Sequence, residues 1–194
     1  MTGDPASGPD ARSLRLFIAV PIPEHAKRAM AAAIEPWRQA FPRARWIPSE
    51  NWHVTLKFLG RTDERLVPWV EERVRAVAAT HEPAPVRVDG LGAFPGVGRA
   101  RVLWAGVDDP TGTLSRIATE LEGELAREFR PEIRGFTPHV TVARSEPPIG
   151  LPETYPATPL RSGPISADRL VVFRSHLRRP TPWYEPLVEA PLGG

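Results

Sequence analysis

The sequence predicts an α+β fold in which two similar lobes, each with a mostly antiparallel sheet and helices outside, flank a central cleft. The first observation is a repeated tetrapeptide. His-Val-Thr followed by an aliphatic residue occurs at 53–56 and again at 139–142. The second is the order of elements: a strand, a helix and then further strands are predicted twice along the chain. Together these observations indicate an internal duplication, with one motif in each lobe and an approximate two-fold axis between the lobes.

The first motif lies in a stretch that alternates between polar and apolar residues, which is the period of a strand with one buried face. We therefore expect His53, Thr55 and Lys57 to share one face, with the apolar side chains between and after them in the core. Lys57 in this position is typical of a solvated lysine at the rim of a site. The histidine and threonine of the second motif share a face in the same way.

The first half of the chain carries the signals of three strands and two helices. Two prolines end the first apolar run, and the alanine-rich segment after it has helical character, with Pro36 as an expected break or kink. The next helix can be capped by Thr62 or Asp63. We predict strands over 14–20, over 45–47 and over the motif segment to Gly60, and helices over 24–40 and from the cap to about 79.

The second half repeats this order. Its loop at 90–98 contains four glycines. The loop is either a phosphate cradle or a plain hairpin connection, and it lacks the helix start and spacing of a P-loop. We predict strands over 86–88, 101–107, 136–144, 170–173 and 183–188, a helix over 111–129, and a long proline-rich loop over 147–164.

The composition limits the class of protein. The chain of 194 residues is long enough for one domain with a sizeable core, which we place at 14–194 after a disordered tail over 1–13. It contains no cysteine, which excludes disulfides and thiolate metal sites. It also lacks an apolar run typical of a signal peptide or a membrane span. We therefore expect a soluble, cytoplasmic protein that does not associate with membranes.

The charge does not identify a partner by itself. The formal net charge is only +2, although all but two of the 25 basic residues are arginine. The planar guanidinium group suits phosphate, but a GC-rich genome would produce the same preference for arginine. The composition alone does not indicate a nucleic-acid-binding protein.

The chemistry of the repeated motif is more informative. An imidazole with an ordinary pKa of about 6.5 can accept or donate a proton near neutral pH, so His53 and His139 could act as a base and an acid. Thr55 and Thr141 could donate hydrogen bonds to an anionic oxygen from both sides of a shared site. The alternative is that each pair is ordinary strand surface. The recurrence of the same four-residue pattern favours one site built from two halves.

The two His-x-Thr-aliphatic motifs resemble the paired signatures of the 2H phosphoesterase superfamily. Over most of its length the chain is similar to the bacterial branch of that superfamily, the RNA 2′,3′-cyclic phosphodiesterases, also called 2′-5′ RNA ligases. The matching segments occur in family order: R-L-F-I-A-V at 15–20, R-W-I-P-S-E-N-W-H-V-T-L-K-F-L-G at 45–60, G-L-G-A-F at 90–94, R-V-L-W-A-G-V at 101–107 and F-T-P-H-V-T-V-A-R at 136–144.

The resemblance implies a bilobal fold and hydrolysis of a 2′,3′-cyclic phosphate at an RNA end to a 2′-phosphomonoester. It implies that His53 is the proton donor and His139 the proton acceptor, and that Thr55 and Thr141 bind the phosphate oxygens. Arg144 matches the second motif and is a candidate for a further phosphate contact or for a plain salt bridge.

Several further expectations accompany this hypothesis. Phe17 is a candidate for stacking on the terminal base, although apolar strand residues are mostly core. We expect no metal and no other cofactor. The expected partner is RNA with a 2′,3′-cyclic phosphate end, with tRNA fragments or small cyclic nucleotides as candidate forms, and we expect a monomer.

Three other functions compete with hydrolysis. The same two histidines could run the reaction backwards as a 2′-5′ RNA ligase. The chain could instead bind cyclic-phosphate ends without turnover, although a pure binder has no need of two titrating groups. A metal hydrolase is a third alternative, but the neighbours of the motif histidines are not the His, Asp or Glu ligands that zinc would need.

Overall fold

The structure is a computed structural model that describes residues 12–178 and 181–194. Within these residues it contains three α-helices and nine strands. The helices are α1 (Glu24–Ala40), α2 (Val67–Ala79) and α3 (Thr113–Glu124). The strands are β1 (Ser13–Pro21), β2 (Arg45–Trp46), β3 (His53–Asp63), β4 (Ala84–Phe94), β5 (Ala100–Asp108), β6 (His139–Ile149), β7 (Ile165–Ala167), β8 (Arg169–His176) and β9 (Trp183–Pro191).

The strands form one connected antiparallel sheet. Eight of them are hydrogen-bonded in the order β7-β4-β5-β6-β3-β1-β8-β9, and β2 pairs with β6. One half of the sheet contains β1, β3, β8 and β9, and the other contains β4 to β7. The halves meet where β3 pairs with β6, with Val54 opposite Val140. The α+β class with two antiparallel halves is confirmed, and both motif strands lie at the centre of the sheet.

The helices bury their apolar faces against this sheet. Helix α2 contacts β8 and β9, α3 contacts β3, and α1 contacts β4. The residues that form these faces recur at helical spacing, as the sequence predicted. The fully buried ones are Met30 and Ile34 of α1, Val70, Val74 and Val77 of α2, and Leu114, Ile117 and Leu121 of α3. The contact of α3 with β3 also joins the motif strand to the second half of the chain.

A β-bulge in β3 changes which side chains face outward. Ala19 of β1 lies opposite Thr55, but the next residue, Ile18, lies opposite Lys57, so Leu56 is an extra residue in β3. The alternation is broken there, because Leu56 and Lys57 are both buried. Our prediction that Lys57 is a solvated residue on the face of the histidine is therefore wrong.

The bulge instead turns Phe58 outward. The simple alternation placed its side chain in the core, whereas it is 64% exposed. A second irregularity follows, because Phe17 lies opposite Phe58 while Leu16 lies opposite Gly60.

An equivalent bulge occurs in β6. Leu103 of β5 lies opposite Ala143 and Trp104 lies opposite Thr141, which leaves Val142 as the extra residue. The first seven residues of β3 and β6 show the same succession of buried and more accessible side chains. In this succession Arg144 takes the place that Phe58 has in β3. The duplication therefore includes the local irregularity as well as the tetrapeptide.

The region around the glycines at 90–98 differs in part from the prediction. Its first five residues continue β4 to Phe94, and a short 3₁₀ turn then leads into β5, so the segment is a hairpin connection. Gly92 packs under Trp104, where an added Cβ would lie 2.2 Å from the ring. This glycine therefore permits the close packing of β4 on β5.

Two further segments differ from the sequence predictions. Pro36 lies inside α1, which runs through it without a break. The predicted loop over 147–164 begins within β6, and its later part is packed, since Tyr155 is fully buried. It leads to β7, a strand that the sequence did not predict, which pairs with β4.

The predicted tail over 1–13 falls mainly outside the described residues, which begin at residue 12, and Ser13 already belongs to β1. Among the described helices none has the length and apolar character required to cross a membrane.

The buried Lys57 is paired with Glu122 of α3, with 2.5 Å between Nζ and Oε2. The same carboxylate accepts the backbone N–H of Glu132 at 3.1 Å, and Nζ contacts the carbonyl oxygen of Arg130 at 3.5 Å. The pair thus connects β3 with α3 and with the segment that leads into β6.

We predict that Glu122→Gln lowers the free energy of unfolding by about 3 kcal/mol, because it leaves a buried ammonium group without its counter-charge. Glu124→Gln, two residues along the same helix, removes a more exposed partner of Arg73 and should cost less than about 1 kcal/mol. Urea unfolding of both variants measures the difference. Equal losses would show that the buried pair contributes no more than a surface pair.

Candidate active site

The two motif strands bring their polar residues to one face of the sheet. Val54 and Val140, which pair across β3 and β6, are buried in the core. Because successive side chains on a strand point to opposite faces, the residues on either side of each valine point away from that core. These residues are His53, Thr55, His139 and Thr141. The structure therefore brings together the four motif residues that the sequence predicted.

Each histidine is fixed by the same type of hydrogen bond. Nδ1 of His53 lies 2.7 Å from the carbonyl oxygen of Asn51, and Nδ1 of His139 lies 2.7 Å from that of Thr137. A carbonyl oxygen can only accept, so Nδ1 carries the proton in both rings. When the ring is neutral, Nε2 therefore has the free lone pair. Both imidazoles can accept a proton at Nε2 or, once charged, donate one from it.

The backbone that holds His53 is itself fixed. Asn51 is buried, and its side-chain Nδ2 donates to the carbonyl oxygen of Pro182 at 2.7 Å. This bond ties the turn before β3 to the segment before β9. Nothing in the sequence pattern singled out Asn51, because the bond joins positions that are distant in the chain.

The two histidines have different surroundings. The ring of His53 stacks on Phe17 with 4.7 Å between centroids, and it forms a T-shaped contact with Tyr184 with 5.3 Å between centroids. The ring of His139 has Phe94 at 5.2 Å in an edge contact, and Trp104 at 6.2 Å. The aromatic rings exclude more water from His53.

Burial in this aromatic cluster lowers the pKa of His53 from 6.5 to about 4. The bond to the carbonyl of Asn51 raises the pKa, whereas the charge of Arg144, and that of His139 whenever it is protonated, lower the pKa a little further. Burial also lowers the pKa of His139. Both rings are therefore neutral at pH 7 when no ligand is bound.

A cavity of about 650 Å³ opens beside the motif residues. Its walls include His53, Thr55 and Thr141, while His139 lies outside its lining. The lining also includes four arginines, and among the described residues that line it there is no aspartate or glutamate. The arginines are Arg15, Arg45, Arg144 and Arg178. Such a cavity favours an anionic ligand.

The structure gives Arg144 and Phe17 different degrees of access to the cavity. Arg144 is exposed and lines it, and its charge acts on both histidines. Phe17 also lines the cavity but is only 4% exposed, with four other rings within 6.2 Å. Phe17 supports the ring of His53, and little of its own surface is left for a base.

Phe58, Arg45 and Tyr184 are among the cavity residues that sequence reasoning missed. Phe58 looked like a core residue because the bulge cannot be recognised from the alternation. Arg45 pairs with Arg144 through β2, and Tyr184 arrives on β9, so their place depends on long-range strand pairing. A strand of only two residues and a pairing between distant strands leave no local signal.

No group of three or more His, Asp or Glu side chains within the described residues is arranged as a metal site. Aromatic rings contact the motif histidines, and hydroxyl and guanidinium groups line the adjacent cavity.

A family model and several known proteins match this chain. The family model of the 2′-5′ RNA ligase superfamily matches residues 23–179. A Geobacillus stearothermophilus protein named RNA 2′,3′-cyclic phosphodiesterase is 32% identical over 181 residues, which are 92% of this chain and 57% of that protein. A protein of the same name from Aeropyrum pernix is 34% identical over 148 residues, 74% of this chain and 83% of that protein.

A solved structure has the same fold. A crystal structure of a Thermus thermophilus protein superposes with a TM-score of 0.77 at 27% sequence identity, covering 93% of this chain and 99% of that one. The chain therefore matches nearly the whole of that structure but spans only about half of the Geobacillus relative.

The lowered pKa of His53 gives a prediction for stability. Between pH 6.5 and about 4 the unfolded chain binds a proton at this position that the folded chain does not, so stability falls as the pH falls. This difference between the pKa values of the folded and unfolded chain corresponds to about 3 kcal/mol in the free energy of unfolding. We predict that His53→Gln removes this contribution, so that the free energy of unfolding falls less steeply between pH 6.5 and about 4. Urea unfolding at several pH values measures it, and parallel profiles of wild type and variant would contradict the prediction.

Proposed function

The chain belongs to the 2′-5′ RNA ligase superfamily, and we propose that it hydrolyses 2′,3′-cyclic phosphate ends of RNA to 2′-phosphomonoesters by two-histidine acid–base catalysis. The observation that carries this proposal is that Nδ1 of each imidazole donates to a backbone carbonyl oxygen, which leaves both Nε2 atoms available for proton transfer. The curated relatives named RNA 2′,3′-cyclic phosphodiesterase support the choice of substrate.

Each motif residue has a role in the proposed reaction. His139 accepts a proton from the attacking water, whose oxygen forms a bond to phosphorus. His53 donates a proton to the 3′ oxygen as the bond between that oxygen and phosphorus breaks. Thr55 and Thr141 donate hydrogen bonds to the non-bridging oxygens, and Arg144 contributes positive charge to the phosphate. The product carries its phosphate on the 2′ oxygen.

The low pKa of His53 requires that the substrate help to protonate it. A proton donor must be charged before it can act, and burial lowers the pKa of His53 to about 4 in the free protein. A cyclic phosphate brings a negative charge into the cavity, which favours the charged imidazole and raises its pKa. In this scheme the protonated donor forms mainly when substrate is present. His139 is already neutral and ready to accept a proton.

The cavity lining supports a substrate larger than the phosphate group alone. The cavity is larger than a single phosphate group, and its four arginines carry more positive charge than one phosphate requires. RNA provides further phosphates and bases that could fill it. RNA ends, tRNA fragments among them, and small cyclic nucleotides are all candidates in this proposal.

We predict that the protein converts an oligoribonucleotide with a 2′,3′-cyclic phosphate end into the 2′-phosphate in the presence of EDTA. His53→Ala and His139→Ala should each lower the rate by about 10²–10⁴-fold, the usual contribution of a positioned acid or base. The product is identified by its mass and by its sensitivity to phosphatase.

A matched control for these variants is His25→Ala, since His25 bonds to the carbonyl of Pro164 and does not line the cavity. Tight binding of the same RNA end by the wild type without turnover would contradict the enzymatic proposal. Loss of activity in EDTA would indicate a metal hydrolase, and joining of added RNA with a 5′ hydroxyl as the main reaction would indicate a ligase.

Arg144 can be tested separately from the histidines. We predict that Arg144→Gln raises KM for the cyclic-phosphate RNA about tenfold or more, because it removes a charge-assisted contact with the substrate. Arg101→Gln is the control, since Arg101 pairs with Glu146 and does not line the cavity. Steady-state kinetics compare the two variants, and equal KM values would exclude a phosphate contact at Arg144.

A further inference from the structure

Two arginines lie opposite each other at the end of the cavity where β1 pairs with β3. Arg15 of β1 is in register with Arg61 of β3. Their neighbours Leu14 and Thr62 are buried, so both arginine side chains point away from the core, and both are exposed. Arg15 lines the cavity, and Arg61 lies beside it on the same face of the sheet, outside the lining. We call these two residues the arginine pair.

The arginine pair is unfavourable for the fold unless an anion binds to it. Like charges directly opposite each other on antiparallel strands repel, because their Cβ atoms are only about 5 Å apart. Neither guanidinium group forms a salt bridge with another residue that the structure describes. Asp63, the acid on this face of β3, is occupied by Arg65, whose Nη2 and backbone N–H donate to it at 2.5 and 2.9 Å. The positive charge of the arginine pair is therefore left for a ligand.

Opposed arginines occur in this sheet where the cavity lies. Arg45 of β2 and Arg144 of β6 are also in register, and both line the cavity. Away from the cavity, Arg87 of β4 lies opposite Asp108 of β5, with 3.7 Å between Nε and Oδ2. The two like-charged pairs indicate that the sheet can bind anionic groups at two places along the cavity.

The arginine pair is separated from the position of the terminal phosphate. Ala19 lies opposite Thr55, and Arg15 lies four residues before Ala19 on the same strand, about 13 Å away along it. Gly60 lines the cavity between these levels, and no atom lies within 4 Å of the place where its Cβ would stand. A chain that leaves the phosphate at Thr55 can therefore reach Arg15 over an open surface. In RNA, the next anionic group along such a chain is the phosphate on the 5′ side of the terminal nucleotide.

We propose that Arg15 and Arg61 bind the internucleotide phosphate on the 5′ side of the terminal, cyclic-phosphate-bearing nucleotide. This inference rests on the proposed function, which places the cyclic phosphate between Thr55 and Thr141. A phosphodiester has one negative charge and two free oxygens, which the planar forks of two guanidinium groups can bind together. Its charge also relieves the repulsion within the arginine pair. The second site selects RNA chains over cyclic mononucleotides without reading the bases.

The test uses two dinucleotides that differ only in the charge of this linkage. In both, 2′-O-methyladenosine is joined to adenosine 2′,3′-cyclic phosphate, through a phosphodiester in one and through an uncharged methylphosphonate in the other. We expect the wild type to have a kcat/KM about tenfold or more higher for the phosphodiester, because hydrogen bonds between charged groups are the stronger ones. Arg15→Gln should bring the ratio of the two substrates towards one, and the double variant with Arg61→Gln should do so more completely.

Two further measurements separate a phosphate contact from a structural role of Arg15. The kcat/KM of Arg15→Gln for the phosphodiester should depend less on salt concentration than that of the wild type, because one phosphate contact fewer is made. The thermal unfolding midpoint of Arg15→Gln should stay the same or rise, because a repulsion between like charges is removed. A lower midpoint with an unchanged ratio of the two substrates would show that Arg15 supports the fold instead.

The matched control is Arg87→Gln, which removes a strand arginine that pairs with Asp108 and does not line the cavity. It should leave the ratio of the two substrates as it is in the wild type. If the wild type hydrolyses both dinucleotides with equal kcat/KM, the proposed function stands and the second phosphate site is excluded. An unchanged ratio in Arg15→Gln and in the double variant would exclude the arginine pair.

The second site can be tested even if the proposed reaction does not occur. If the wild type hydrolyses neither dinucleotide, the proposed function fails, and calorimetric binding of the same two dinucleotides then tests the arginine pair alone. Tighter binding of the phosphodiester by the wild type, with the difference lost in Arg15→Gln, supports the site. Equal affinities of the wild type for the two linkages would exclude it.

Discussion

One extra residue in each of two central strands determines which side chains reach the cavity. Without the bulge at Leu56, strict alternation would direct Lys57 towards the cavity and Phe58 into the core. The bulge reverses both, so the ammonium group pairs with Glu122 inside the protein and the ring faces solvent. The equivalent bulge in β6 turns Arg144 outward. The same backbone irregularity thus places an apolar ring on one side of the cavity and a guanidinium group on the other.

The environment of the histidines follows from the same sheet. The strands around β3 bring aromatic rings against His53, and the desolvation that results lowers its pKa to about 4. The carbonyl groups of Asn51 and Thr137 fix the proton on Nδ1 of each ring. Backbone hydrogen bonds therefore set the orientation of both imidazole rings. Their protonation depends in addition on the charges in the cavity. A negative charge close to His53 would favour its charged form and raise its pKa.

The sequence predicted the α+β class, the three helices and the placement of the four motif residues on one face of the sheet, because these depend on local periodicity and on a repeated pattern. It failed at Lys57 and Phe58, since a bulge is a property of the pairing with β1 and leaves the alternation of residue types unchanged. It also missed Arg45 and Tyr184. Their contribution depends on which strands become neighbours, and that information lies in contacts between distant parts of the chain.

The near-symmetry of the backbone makes the differences between the halves informative. Equivalent positions carry identical groups at the histidines and threonines, which the proposed reaction uses for proton transfer and for contacts with phosphate oxygens. They diverge at Phe58 and Arg144, and in the aromatic rings around the two imidazoles. A symmetric site would suit a symmetric ligand. The ligand of the proposed reaction is a nucleotide, whose charge lies at one end and whose apolar surface lies at the other, and the divergence of the two halves is consistent with that proposal.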